Sequence, residues 1–406
     1  MNINTYILSN GIRLLHVKAA GDVSYCGALI NAGTRDEEAQ ESGYAHLVEH
    51  LLFKGTSKYT SKQIINRIEN VGGEINAYTT KEETAVYAAF LKQYLDRTFS
   101  LVADMVFDSQ FQQKTIDKEV DVVLDEIDSY IDSPSDIILD DFEELIFSGN
   151  PLGRNILGNR KSLKAVTRDK ILKYYRRTYT PDQIVFFVMG NYTKERVWRL
   201  AERVLGSVPA RKRDYEREPI KEYKPISKSV KKGTKQVHIV LGGRSYSQTD
   251  ADRYAFILLN NILGGDFMSS ILNMKLREKE GLVYEVDSNY TPYFETGNWN
   301  IYLGCDYSDV DRVLSIIQTE LARLRDIELS EHALRLAKRR LLSYLTICGE
   351  NKESWILGAA KQYLNTGVIK QKREVEDSIN SVTAADIRRC AETVFNPDYL
   401  TVLKYI

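Results

Sequence analysis

The sequence predicts an α+β chain built from two duplicated α/β domains. Three observations point there. Strand-like and helix-like segments alternate along all 406 residues. Two stretches of the first half recur in the second half, in the same order. Between the halves, residues 207–234 break the pattern with prolines and charges.

The chain opens on a hairpin. Asn10-Gly11 between two apolar-rich runs is a two-residue hairpin signal. The first twenty residues, "MNINTYILSNGIRLLHVKAA", lack the basic and apolar regions and the cleavage pattern of a leader. The expectation is a cytoplasmic protein. "VSYCGALINAG" reads as a strand, and "SKQIINRIENV" as a helix ended by Gly72-Gly73. "INAYTT" and "TAVYAAF" read as paired strands turning at Lys81 to Glu83. Long helices follow at about 92–107 and 115–131, then a strand after Pro181. "SVPARKRDYEREPIKEYKPISKSVKKGT", residues 207–234, has no apolar period and reads as a linker with solvated charges. The expected domains are therefore residues 1–206 and 235–406.

The repeat has two anchors. "SGYAHLVEHLLFKGT" can be laid on "DRYAFILLNNILGGD" at an offset of 210, and "YTPDQIVFFVMGN" on "FNPDYLTVLKYI" at an offset of 216. In this alignment His46, Glu49 and His50 fall on Phe256, Leu259 and Asn260. A helix that can be built from Phe and Leu does not need two histidines and a glutamate to fold.

Composition removes several functions. A net charge of −1 argues against a general nucleic-acid or membrane-surface protein. No apolar run approaches the ~20 residues that span a bilayer. Cys26, Cys305, Cys348 and Cys390 are far apart and read as free thiols, not as ligands of a zinc. The glycines of "LGGDFMSS" lack the Lys-Ser/Thr of a P-loop, which argues against nucleotide binding.

The chemistry lies in residues 42–56, "SGYAHLVEHLLFKGT". Helical positions four apart sit about 40° apart, so His46 and His50 can reach one ion together. Glu49 is placed to touch a water on that ion. Tyr44, Val48 and Leu51 make an opposing stripe, and the helix is apolar almost all round, so it is expected to be buried. Buried imidazoles and a carboxylate need partners, which a zinc ion supplies. A hydrolytic zinc takes a third protein ligand, a His, Cys or carboxylate from elsewhere. On the helix "TIDKEVDVVLDEIDSYIDS", Ile116, Val120, Val123, Ile127 and Ile131 form one face, with Asp117, Asp121, Asp125 and Asp128 opposite. Glu119 and Glu126 sit at the edge of the apolar stripe. They are placed either to serve a buried site or to fringe the core and reach water.

H-x-x-E-H is the inverzincin order of a zinc-peptidase motif. On it, the chain resembles the M16 (pitrilysin-type) metallopeptidases end to end, especially the short subfamily that includes mitochondrial processing peptidase. The family's third ligand is a glutamate some 75 residues after the second histidine, with a supporting glutamate seven before it. Glu126 lies 76 positions after His50, and Glu119 seven before Glu126. The resemblance implies that His46, His50 and Glu126 bind one zinc per chain, that Glu49 is the general base, and that Glu119 supports a ligand histidine. It implies peptide-binding roles for Gly73, Asn76 and Ala77 in "GGEINA", where the alternative is an ordinary sheet strand. In "LREKEGLVYEV" it implies that Arg277 and Tyr284 hold the substrate backbone and the tetrahedral oxygen. The alternative there is that Arg277 pairs with Glu280 and Tyr284 is core. The implied fold is LuxS/MPP-like: two domains, each a mostly antiparallel sheet packed with helices, forming half of a clamshell. A second chain would close the chamber around peptides or unfolded segments, as a homodimer or with a homologous subunit. The competing reading is a non-catalytic structural or peptide-binding subunit, against which the complete H-x-x-E-H set speaks.

Overall fold

The computed structural model describes residues 2–406. Strands β1 Asn2–Ile7, β2 Arg13–Lys18, β3 Val23–Ile30, β4 Glu74–Thr79, β5 Thr84–Leu91 and β6 Ile184–Gly190 form one sheet, in the order β1-β2-β6-β3-β5-β4. Strands β7 Ser227–Val230, β8 Val237–Ser245, β9 Val283–Pro292, β10 Gly297–Cys305 and β11 Thr401–Tyr405 form the other, in the order β7-β11-β8-β10-β9. Five helices matter here and are labelled α1 Tyr44–Leu52, α2 Ser61–Glu69, α3 Leu95–Phe107, α4 Gln113–Ile131 and α5 Pro134–Ile146.

The duplication is visible in the topology. Matching β2 with β7, β6 with β11, β3 with β8, β5 with β10 and β4 with β9 makes the two strand orders coincide. Directions coincide too. β2 runs parallel to β6 and β7 parallel to β11, while every other matched pair is antiparallel. The first sheet adds β1 at its edge. The helix Arg253–Gly264 occupies the place of α1, as the sequence anchor requires.

The compact units differ from a simple cut at the linker. One comprises residues 2–128, 154–218 and 349–369, the other 129–153, 219–348 and 370–406. Residues 129–153 therefore leave the expected 1–206 domain, and 349–369 leave the expected 235–406 domain. Burial explains both. The helix Lys352–Thr366 carries Ile356, Ala359, Ala360, Tyr363 and Leu364 on one stripe, packed on Leu15, Val17, Val185, Phe187 and Met189 of the first sheet. In α5, Ile138, Phe142 and Ile146 pack with Val240, Leu403 and Tyr405 of the second sheet. Each Val, Leu, Ile, Phe or Met side chain among these stabilises by roughly 1.5–3 kcal/mol when fully buried. β6 shows the matching period of two: Ile184, Phe186 and Val188 join the core under α1 and α3, while Val185, Phe187 and Met189 face the other layer.

Two expectations are corrected. The first hairpin turns over three residues, Ser9 to Gly11, with Gly11 N–H donating to Leu8 O and Leu8 N–H to Ile12 O, both at 2.9 Å. Gly11 takes φ +95°, the left-handed position after a type I turn. Asn10 is free for a tertiary task, its amide donating to Leu205 O and Val208 O. The linker's charges are also not all solvated. Arg217 donates to both oxygens of Asp36, at 3.0 and 2.8 Å, and Tyr215 OH to Asp36 Oδ1 at 3.0 Å. Burial opposes ionisation of Asp36, but Arg217 and Arg213 outweigh it and hold the carboxyl below its usual range. Further on, β7 pairs with β11. A charge-rich stretch without apolar period still orders when its cations meet buried carboxylates. Among the described residues, no helix is long and apolar enough to cross a membrane.

Candidate active site

Helix α1 is anchored before it carries any chemistry. Gly43 precedes it at φ +93°, and a Cβ on Gly158 would lie 2.3 Å from Gly43 Cα, so two backbones touch there. The Glu37 carboxylate accepts the N–H of Gly43 at 3.1 Å and of Ala45 at 2.9 Å, satisfying donors at the helix start. Burial pushes Glu37 up to about 8, against those two N–H groups. Tyr44, Leu47, Val48, Leu51 and Leu52 are buried.

His46, Glu49 and His50 leave this core on one side. His46 Nε2 and His50 Nε2 each lie 3.9 Å from Glu126 Oε2. Ligand atoms of His46, His50 and Glu126 all fall within 4.8 Å of one another. Two imidazole nitrogens, one carboxylate and an open side are the donor set of a catalytic zinc, so the residues fit that ion. His46 is buried, and burial, with His50 beside it, pushes its pKa down to about 4. It is therefore neutral, with a lone pair to give. Glu119 Oε2 is buried without a hydrogen-bond partner and faces His50 Nδ1 at 3.4 Å. A proton on Nδ1 would satisfy it and leave Nε2 free for a metal. Lys54 Nζ holds the other oxygen of Glu119 at 2.9 Å.

Glu49 Oε2 lies 4.0 Å from His46 Nε2 and accepts from Thr79 Oγ1 at 3.2 Å. Burial raises its pKa and Glu126 adds to that, while His50 and Thr79 oppose. A carboxylate raised in this way is a stronger proton acceptor than an ordinary one.

On α4 the buried residues are Ile116, Glu119, Val120, Val123, Leu124 and Ile127, with Ile131 47% exposed. Glu119 lies further inside than an edge position, and Glu126 at the rim, its side chain 45% exposed. Asp117, Asp121, Asp125 and Asp128 are exposed.

β4 is an edge strand. Gly73 is explained by packing: its N–H caps α2 at Ile68 O, and a Cβ there would meet Ala89 O and Ile68 Cγ2 at 2.8 Å. Ile75 and Ala77 pack on the core under α1, and Thr79, in phase with them, reaches Glu49. Asn76 is exposed and, by strand alternation, points to the other face.

Arg277 and Tyr284 lie in the other compact unit. Arg277 is on a π-helical turn, Asn273–Lys279, with its guanidinium carbon 5.8 Å from the centre of the Tyr284 ring. Tyr284 is 83% exposed, which removes the core alternative, and Glu280 pairs with Arg312, not with Arg277. The pair lines a cavity of about 280 Å³ with Asp266, Glu285 and Asp287. The sequence reading missed Thr79, Lys54 and Glu37. Lys54 was legible as the position four after His50, and Thr79 as the in-phase successor of Ala77. Glu37, six residues before Gly43 in an irregular segment, gave no periodic signal.

Where α1 carries its polar set, the equivalent helix of the second repeat has buried Phe256 and Leu259. Asn260 there is tied to Ser288 and Trp299. A duplicated α+β chain with H-x-x-E-H in one repeat alone is the class that these features define. Residues 14–160 match the family model described as Insulinase (Peptidase family M16), and residues 165–341 the model described as Peptidase M16 inactive domain. An uncharacterized zinc protease of Bacillus subtilis (strain 168), YmxG, is 31% identical over 99% of this chain and 98% of its own length. Another, SCO5738 of Streptomyces coelicolor, is 33% identical over 91% of this chain and 82% of its own. The chain belongs to peptidase family M16. A protease from Helicobacter pylori superposes with a TM-score of 0.90 at 20% identity, covering 100% of this chain and 99% of that one. A Pseudomonas fluorescens structure, titled peptidase M16 inactive domain, gives 0.93 at 18% identity, covering 100% and 98%. At these identities the two structures speak for the fold.

Proposed function

We propose that this protein is a zinc-dependent endopeptidase that hydrolyses peptides or extended unfolded segments. The observation that carries the reading is the convergence of His46, His50 and Glu126 beside Glu49. Zinc held by those three ligands would polarise the scissile carbonyl and acidify a water. Glu49 takes the proton of the attacking water and passes it to the leaving amine. Thr79 anchors the Glu49 carboxylate while this happens. Glu119 orients His50. The free edge of β4, running through Asn76 and Ala77, pairs with the substrate main chain, which gives affinity with little sequence preference. Arg277 and Tyr284 steady the backbone and the charged tetrahedral oxygen. The working form is a homodimer in which each zinc site uses the Arg277 and Tyr284 of its partner copy.

Metal analysis tests the reading. Protein prepared without chelators should hold about one zinc per chain, lose peptidase activity to a chelator and regain it with zinc. Absence of any stoichiometric transition metal would overturn it.

A further inference from the structure

We propose that Lys54 is a positioning residue for His50, acting through Glu119; the proposal rests on the zinc reading above. Lys54 Nζ is 2.9 Å from Glu119 Oε1, and Glu119 Oε2 is 3.4 Å from His50 Nδ1. The three side chains form a line that ends on a ligand imidazole, whose other nitrogen faces Glu126 at 3.9 Å.

Burial makes this more than a surface ion pair. The Glu119 side chain is only 8% exposed and that of Lys54 34%. A carboxylate so enclosed is stable as an acceptor only beside a cation, and Lys54 supplies that charge on the side away from His50. With one oxygen engaged by Lys54, the carboxylate plane is fixed and the second oxygen stays turned to the imidazole. An imidazole that gives its Nδ1 proton to a fixed acceptor presents Nε2 to a metal in one orientation.

The backbone holds Lys54 for this task. α1 closes with two tight turns, Phe53 N–H donating to His50 O at 3.2 Å and Lys54 N–H to Leu51 O at 3.0 Å. Lys54 therefore stays on the face of His50 although the helix has ended. Gly55 then turns the chain at φ +137°. Lys54 also lines a cavity of about 270 Å³ with Thr56, Thr60, Gln112 and Thr115, so its side chain can be changed without overpacking a closed core.

The test is zinc affinity, measured by competition with a chromophoric chelator, on full-length wild type, Lys54→Met, Lys54→Arg, Glu119→Gln and the Lys54→Met/Glu119→Gln double variant. Lys54→Met should weaken zinc binding by about ten- to a hundredfold. Lys54→Arg, which keeps the charge, should bind at least about threefold tighter than Lys54→Met. In the Glu119→Gln background, Lys54→Met should change affinity by less than about twofold, because its effect passes through the carboxylate. Melting of each metal-free variant is recorded alongside, and Lys54→Gln replaces Lys54→Met if the latter fails to fold. Wild-type affinity in the charge-less variant would overturn the proposal, as would losses that add in the double variant. A wild type that binds no zinc would instead remove the peptidase reading, so the two failures are distinguishable.

Discussion

As the proposed base, Glu49 has to be ionised to take a proton, yet its surroundings raise its pKa. Burial and Glu126 push its pKa up, and the Thr79 hydroxyl is one of two groups that pull it back. Thr79→Val should therefore raise the pKa further. A base works only when deprotonated, so the acid limb of the kcat/KM profile should move to higher pH, which pH-rate measurements on the variant check. On the proposed zinc reading Glu126 is a ligand and its neighbour Asp125 is not. Glu126→Gln should weaken zinc binding by more than about 100-fold, and Asp125→Asn by less than about twofold, in the same metal-competition measurement. The residue scale is where the sequence was most legible. Spacing on one helix placed His46, Glu49 and His50 together, and the edge of an apolar stripe on a second helix offered Glu119 and Glu126, whose roles came from the family resemblance. Thr79 and Glu37 were less accessible, because their contacts join segments about thirty residues apart or cap a helix from an irregular stretch.

His16 on β2 illustrates what elements hide. It is 1% exposed and neither ring nitrogen has a hydrogen-bond partner. Burial, with Lys18 adding to it, pushes its pKa down to about 4. The unfolded chain then binds more protons than the folded one, so stability is full above pH 6.5 and is lost as pH falls toward 4. The loss amounts to roughly 2.5 kcal/mol at pH 4.5. His16→Leu should flatten this dependence, as read from urea midpoints at pH 7 and 4.5. The linker is an element that its composition misdescribes. Its arginines close on Asp36, whose side chain is fully buried. Arg217→Met would leave that carboxylate short of its main partner and should cost about 3–5 kcal/mol in urea unfolding. Strands and helices were legible because apolar period marks them. A segment ordered by ion pairs has no period, and neither does the choice of sheet for α5 or for Lys352–Thr366, since an apolar stripe does not name its partner.

At the scale of the molecule, one design is used twice and specialised once. Both sheets share strand order and direction, but the second repeat fills the place of the H-x-x-E-H set with Phe256, Leu259 and Asn260. The first repeat keeps the H-x-x-E-H set, and the second carries Arg277 and Tyr284. If active sites are shared between copies, Glu49→Gln and an Arg277→Ala/Tyr284→Phe variant, each inactive alone, should recover activity on mixing under exchange. The ceiling is about one quarter of wild type, for random exchange and independent sites. Full activity of a monomer, or no recovery despite proven exchange, would exclude sharing. The most direct measurement of the central claim is digestion of a peptide library, read by mass spectrometry, with zinc-loaded wild type beside zinc-loaded Glu49→Gln. The account predicts internal peptide-bond cleavage by the wild type and none by the variant, although both hold equal zinc. An inert zinc-loaded wild type, or equal cleavage by the two proteins, would contradict it.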